Sequence, residues 1–149
     1  VAAMYVIAQV RESQLSALKS SLKLSNTDAE SIRFAVLKHA FLLKANQKKW
    51  SQVQPLVLNS RFATALKVLQ LTEGVYDASG VAADLVARME AVSELDPEPL
   101  LLGKDLIDSG LKPGPEFKRL LQDARDLQLD GELDSKSGAL QWLKGRVGK

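Results

Sequence analysis

Apolar residues along this 149-residue chain recur at intervals of three and four, and no stretch sustains the strict alternation of a half-buried strand. Met4, Ile7, Ala8, Leu15, Leu18 and Leu22 set the helical spacing in the first segment. The run Ser25-Asn26-Thr27-Asp28-Ala29-Glu30 follows, and Thr27 with Glu30 has the spacing of a capping box. It predicts a helix over 28–45 carrying Ile32, Phe34, Ala35, Leu37, Leu42 and Leu43. Further helices are predicted over 48–53, where Pro55 ends the pattern, and then over 61–71, 81–92, 101–109, 115–128 and 136–144. The expected fold is therefore all-α, an array of short helices and helical hairpins in sequence order. Two prolines in the acidic run 96–99 mark a linker over 96–100. That linker divides a helical body subdomain, 1–95, from a C-terminal hairpin or tail subdomain, 101–149.

Turn chemistry is densest in the tail. Gly110 suits the left-handed position just past a helix end, Pro115 suits the first turn of the next helix, and Gly114 lets a ligand approach the backbone. Leu129-Asp130-Gly131 ends that helix with a second glycine cap. Asp134 or Ser135 then caps a last helix that buries Ala139, Leu140, Trp142 and Leu143. A helix start beside Lys112, Lys118 and Arg119 is suited to an anion, because its first N–H groups have no partner within the helix. The same glycine and prolines also serve simply to fix a tight hairpin.

Composition narrows the class. With 46% hydrophobic residues the chain has enough apolar surface for one domain or two small helical ones, which excludes disordered and fibrous proteins. Cysteine is absent, which excludes disulfide scaffolds, thiolate zinc sites and cysteine nucleophiles and agrees with a reducing, cytoplasmic setting. The apolar start at residues 1–10 falls short of the roughly 20 residues that a membrane span needs. It has neither the basic leader nor the cleavage site of a signal peptide, so no membrane partner is expected. A chain that starts at Val1, already inside a helical pattern, is expected to be a piece of a longer protein.

The net charge of +2 hides an uneven distribution. Up to Leu71, Arg11, Lys19, Lys23, Arg33, Lys38, Lys44, Lys48, Lys49, Arg61 and Lys67 face only Glu12, Asp28 and Glu30. From Glu73 to Glu98 the balance reverses, with Arg88 alone among carboxylates. The basic half fits a polyanion partner, and it equally fits ordinary solvated helix faces. Catalytic candidates are few. His39 is the only histidine and has no serine or carboxylate at useful spacing, so it reads as a core or surface residue. No Asp-x-Asp pair suited to two magnesium ions stands in the acidic run, and no Walker or dinucleotide glycine pattern is present. Asp105 and Asp108 are expected on the solvated side of their helix, with Leu106 and Ile107 toward the core.

The last 45 or so residues carry a specific resemblance. Gly103, Asp105 and Leu106, then Gly110, Pro113, Gly114 and Pro115, then Phe117, Leu120 and Leu121, and finally Gln128, Leu129, Gly131, Ala139 and Leu140 fall in one order. That order resembles the C-terminal region of the bacterial tRNA nucleotidyltransferase (CCA-adding) and poly(A) polymerase family. The run at residues 22–26, followed by a helix with Lys38 and His39, is similar to that family's middle helical region, less specifically. The resemblance implies a parent enzyme that adds nucleotides to tRNA or other RNA 3′ ends, using nucleoside triphosphates and magnesium. The family's catalytic head, with its phosphate loop and paired aspartates, has no counterpart in this sequence. Only the RNA-holding part of the work is expected here, with no catalytic, metal or cofactor residues.

RNA held in this way is positioned through its phosphates, by cations and free helix N–H groups. The candidates are Lys112, Gly114, Lys118 and Arg119 around the turn, with Lys104 just before it, and a second patch of Lys48, Lys49 and Arg61. A helical protein-interaction module, or a homodimerisation region, would explain the same caps and hairpins without RNA. A helix-hairpin-helix DNA binder ranks lower, because the turn lacks the compact glycine-hydrophobic-glycine spacing of that motif.

Overall fold

The computed structural model of the chain describes residues 12–147. The helical pattern over residues 1–10, with Met4, Ile7 and Ala8, lies outside the described residues, as does Arg11. Among the described residues the chain is all-α, with eight α-helices and no strand. The helices are α1 (Glu12–Ser21), α2 (Asn26–Leu42), α3 (Trp50–Val57), α4 (Phe62–Thr72), α5 (Val81–Ala91), α6 (Gly103–Asp108), α7 (Pro115–Leu129) and α8 (Lys136–Val147). A 3-10 turn, Ala45–Gln47, follows α2.

Three local expectations are corrected. The cap of α2 is Ser25 rather than Thr27: Ser25 Oγ accepts the Asp28 N–H at 3.1 Å and donates to the Asp28 carboxylate at 2.7 Å. Pro55 does not end the short third helix but sits inside it, so α3 runs to Val57. Leu37 is 66% exposed and Ile107 55% exposed, so neither belongs to a core face.

The residues fall into two compact units, Val1–Lys48 with Leu56–Leu95, and Lys49–Pro55 with Asp96–Lys149. In the first unit α2 packs along α4. Ala35, His39 and Leu42, one stripe of α2, are buried, as are Phe62, Ala65, Leu69 and Thr72 of α4 and Val81, Ala82 and Leu85 of α5. Arg88 ties the 3-10 turn down, donating to the Ala45 carbonyl at 2.8 Å and the Lys48 carbonyl at 3.0 Å. Gly80, in the left-handed region at φ 86, offers α5 no side-chain cap. Glu73 reaches across the turn instead, and its carboxylate accepts the Ala82 N–H at 2.8 Å.

The second unit is built around Leu101, Leu106, Leu120, Ala124, Ala139 and Leu143, with Phe117, Leu121, Leu140 and Trp142 partly buried against them. Each fully buried leucine stabilises the unit by about 1.5–3 kcal/mol relative to exposure. The proline segment that starts it is held rather than loose. Arg125 pairs with Asp96 at 2.7 Å and donates to the Pro97 carbonyl. Gln128 donates to the Glu98 carbonyl at 2.8 Å and accepts the Leu100 N–H at 3.0 Å. Residues 49–55 join this unit through Asp130, whose carboxylate accepts the Ser51 N–H at 2.9 Å and the Ser51 hydroxyl at 3.0 Å. Gln54 adds a bond to Asp96 at 3.3 Å.

Leu106→Ala should lower stability by about 2–5 kcal/mol, the range for an unrelieved core cavity. Asp130→Ala, which leaves two Ser51 donors without their acceptor, should cost about 1–3 kcal/mol. Urea unfolding of the two variants checks both figures, and a neutral outcome for either contradicts the packing described.

Candidate nucleic-acid interface

The turn singled out in the sequence joins α6 to α7 inside the second unit. Helix α6 is preceded by Leu102 at its N-cap, whose N–H is accepted by Asp105 Oδ2 at 2.7 Å, the acidic half of a capping box. Lys136, from the start of α8, pairs with the same carboxylate. That pairing first, and the Leu102 N–H second, hold the Asp105 carboxyl below its ordinary range. Asp105 is therefore a structural pin rather than a solvated decoration. Gly103 has a packing reason: a Cβ there would stand 3.3 Å from the Phe117 ring of α7.

Helix α6 closes with Gly110 at φ 87, which only glycine occupies without strain, and the Gly110 N–H bonds the Ile107 carbonyl at 2.8 Å. Leu111 N–H returns to the Leu106 carbonyl at 3.0 Å. Gly114 is extended, at φ 178, a conformation open to any residue, and a Cβ would meet nothing closer than the Lys112 carbonyl at 3.9 Å. Its position is open, as close backbone approach requires. Pro115 stands at the start of α7, and no side chain caps that helix. Gly131, at φ 75, and Ser135, whose hydroxyl accepts the Gly138 N–H at 3.2 Å, close and open the last two helices as expected.

Lys104, Lys112 and Lys118 are exposed and make no ion pair among the described residues. Arg119 is also exposed and stands 3.4 Å from Glu116 on its own helix, a screened pair worth little. The second predicted patch is less available. Lys49 pairs with Glu132 at 2.9 Å and lies 3.6 Å from Asp130; the Glu132 bond and charge raise its pKa. It borders a hollow of about 310 Å³ that Asp123, Asp126 and Asp130 also line, beside Arg146 stacked over Trp142. Three carboxylates there oppose a phosphate. Lys48 and Arg61 belong to the first unit, both half-buried, with the Lys48 ammonium 5.8 Å from the Phe41 ring centre.

A feature that sequence reasoning missed lies in the first unit. The end of α2, the 3-10 turn and the loop before α5 enclose an open cleft of about 630 Å³, lined by His39, Leu43, Lys44, Asn46, Gln47, Tyr76, Asp77 and Ser79, among others. His39 is 5% exposed and lies edge-on to Tyr76, with ring centres 5.2 Å apart. Its Nε2 is 2.7 Å from Thr72 Oγ1, and burial lowers its pKa. The signal was its place on the Ala35–His39–Leu42 stripe, which a mid-helix histidine without chemical partners made easy to pass over. Among the described residues no group of three or more His, Asp or Glu side chains is placed to hold a metal ion. No helix described is long and apolar enough to cross a membrane.

No family model, curated protein or solved structure matches the chain.

Two of the shifted groups, His39 and Asp105, give stability two separate pH limbs. His39 resists protonation when folded, so the unfolded chain binds the proton first. Stability is full above the ordinary 6.5 and is lost as pH falls from there toward the lower folded value. Asp105 contributes above its unfolded value of 3.8 and loses its contribution as pH falls through the lower folded value. Melting curves between about pH 7 and 3 should show both limbs. His39→Phe should remove the upper limb and Asp105→Asn should shrink the lower one. An unchanged profile in either variant contradicts the assignment.

Proposed function

We propose that this chain is the RNA-holding helical body and tail of a cytoplasmic tRNA nucleotidyltransferase or poly(A) polymerase. The RNA 3′ end is its partner, and nucleotide addition itself belongs to a catalytic head outside this sequence. One observation carries the reading: four of the residues that resemble the family, Gly103, Asp105, Gly110 and Pro115, meet on the α6–α7 hairpin of the second unit, where each of the four has a local reason. Gly103 admits Phe117, Asp105 pins α6, Gly110 takes the left-handed position, and Pro115 starts α7. Around that hairpin Lys104, Lys112 and Lys118 remain exposed and join no ion pair among the described residues, Lys104 being drawn only at longer range to the Asp105 carboxylate. Such cations neutralise phosphates and release counterions, which positions RNA without reading its sequence. The magnesium and nucleoside triphosphates that the resemblance implies belong, in this reading, to the catalytic head of the parent enzyme. No step of the chemistry is routed through this chain.

A second reading, a helical protein-interaction or dimerisation module, draws support from the exposed Leu37, Leu71 and Val75 of the first unit. Salt dependence separates the two. A tRNA acceptor-stem minihelix should bind with affinity that falls steeply with salt. Lys112→Ala combined with Lys118→Ala should reduce the log–log slope by about 2, one phosphate contact for each lysine. Undetectable binding at low salt, with self-association in sedimentation, would favour the protein-contact reading instead.

A further inference from the structure

The cleft in the first unit has an interior whose hydrogen-bonding polarity can be worked out. Thr72 Oγ1 carries one proton, and its carbonyl acceptors are Val68 at 2.7 Å and Leu69 at 3.2 Å. The oxygen is therefore an acceptor toward His39, at 2.7 Å, which places the imidazole proton on Nε2. Nδ1 then presents a bare lone pair. It has no protein partner among the described residues, where no fully buried side-chain nitrogen or oxygen lacks one, so Nδ1 keeps a small exposure. The ring, 5% exposed, is one of the side chains that line the cleft.

That lone pair selects what reaches the floor. An anion is repelled from it, so a phosphate stays at the rim with Lys44, whose ammonium is exposed. A divalent metal would find no carboxylate set to complete its shell. What fits is a planar group that turns an N–H edge toward Nδ1. The Tyr76 ring forms one wall, and the side-chain amides of Asn46 and Gln47, each both donor and acceptor, stand along the 3-10 turn. Asp77 completes the rim. It lines the cleft and holds a left-handed backbone at φ 53, where a turn favours glycine. Carboxylates accept well from ribose hydroxyls. The space of about 630 Å³ lies within the range of small-ligand sites.

We infer that this cleft binds one nucleotide, with the base edge on His39 Nδ1 beside Tyr76, the ribose hydroxyls toward Asp77 and the phosphate on Lys44. The source is either an unpaired nucleotide of RNA or a free mononucleotide. RNA recognition commonly works this way, with an unstacked base set against an aromatic side chain and bonded along its edge. The inference rests on the RNA reading only for the larger of these two sources.

The test is a titration of the isotope-labelled 149-residue chain, followed by NMR at the His39 ring nitrogens and the amides of Asn46, Gln47 and Asp77. AMP should move Nδ1 and these amides together. Ribose 5-phosphate, which lacks the base, should bind about tenfold more weakly and leave Nδ1 in place. Lys44→Ala, an exposed change that leaves the core intact, should weaken AMP about fivefold. Tighter binding of a single-stranded oligoadenylate than of AMP assigns the cleft to RNA, and the reverse order assigns it to a mononucleotide. Failure of both to move Nδ1, or equal binding of AMP and ribose 5-phosphate, overturns the inference. AMP binding without any binding of the minihelix would keep the cleft and remove the RNA-holding tail.

Discussion

The second unit depends on one nearly buried carboxylate. Asp130 ends α7, and its side chain is 8% exposed, a position that costs several kcal/mol for an unpaired charge. It is compensated by the Ser51 N–H and hydroxyl, with Lys49 nearby. Those bonds bring residues 49–55 into a unit whose other members begin at Asp96. With that segment in place, Arg125 and Gln128 fasten the proline run ahead of α6, and the leucine cluster closes beneath the hairpin. The turn between α6 and α7 thus rests on a scaffold with little freedom to rearrange.

The same bonds divide the cations into two kinds. Lys49 and Lys136 serve the fold, each committed to a carboxylate on another element, and Arg125 joins them. Lys112 and Lys118 have no such duty among the described residues, and Lys104 has only a longer-range attraction to Asp105. A cation committed to a carboxylate gains little from a phosphate, because it must first give up a partner of the same charge. One without a partner pays only for its own ordering and the release of counterions, which is favourable. Charge count alone therefore says less about a polyanion surface than the location of the nearest carboxylates.

Much of this architecture was legible in the sequence because it is local. Helical spacing gave the elements to within a few residues, and Gly110, Pro115, Gly131 and Ser135 stand where turn chemistry puts them. The errors have two causes, competition between neighbouring residues and the reach of tertiary structure. Ser25 outcompetes Thr27 as a cap because it has both the Asp28 N–H and the Asp28 carboxylate to bond. Ile107 is apolar yet exposed because it stands about 100° around α6 from Leu106, which supplies the core contact. The pairing of Ser51 with Asp130 spans 79 positions, beyond any local rule. The cleft was hidden for the same reason, since Thr72 and Tyr76 meet His39 only when α2 lies along α4.

The account stands on the claim that the α6–α7 turn holds RNA. Hydrogen exchange of the whole chain with and without a tRNA acceptor-stem minihelix tests it most directly, because the backbone reports contacts that no substitution has disturbed. The account predicts slowed exchange concentrated in the α6–α7 segment, from Leu102 to Arg119, and none around Lys49, whose charge is already engaged. Protection confined to other segments, or absent while the minihelix is bound, would contradict it.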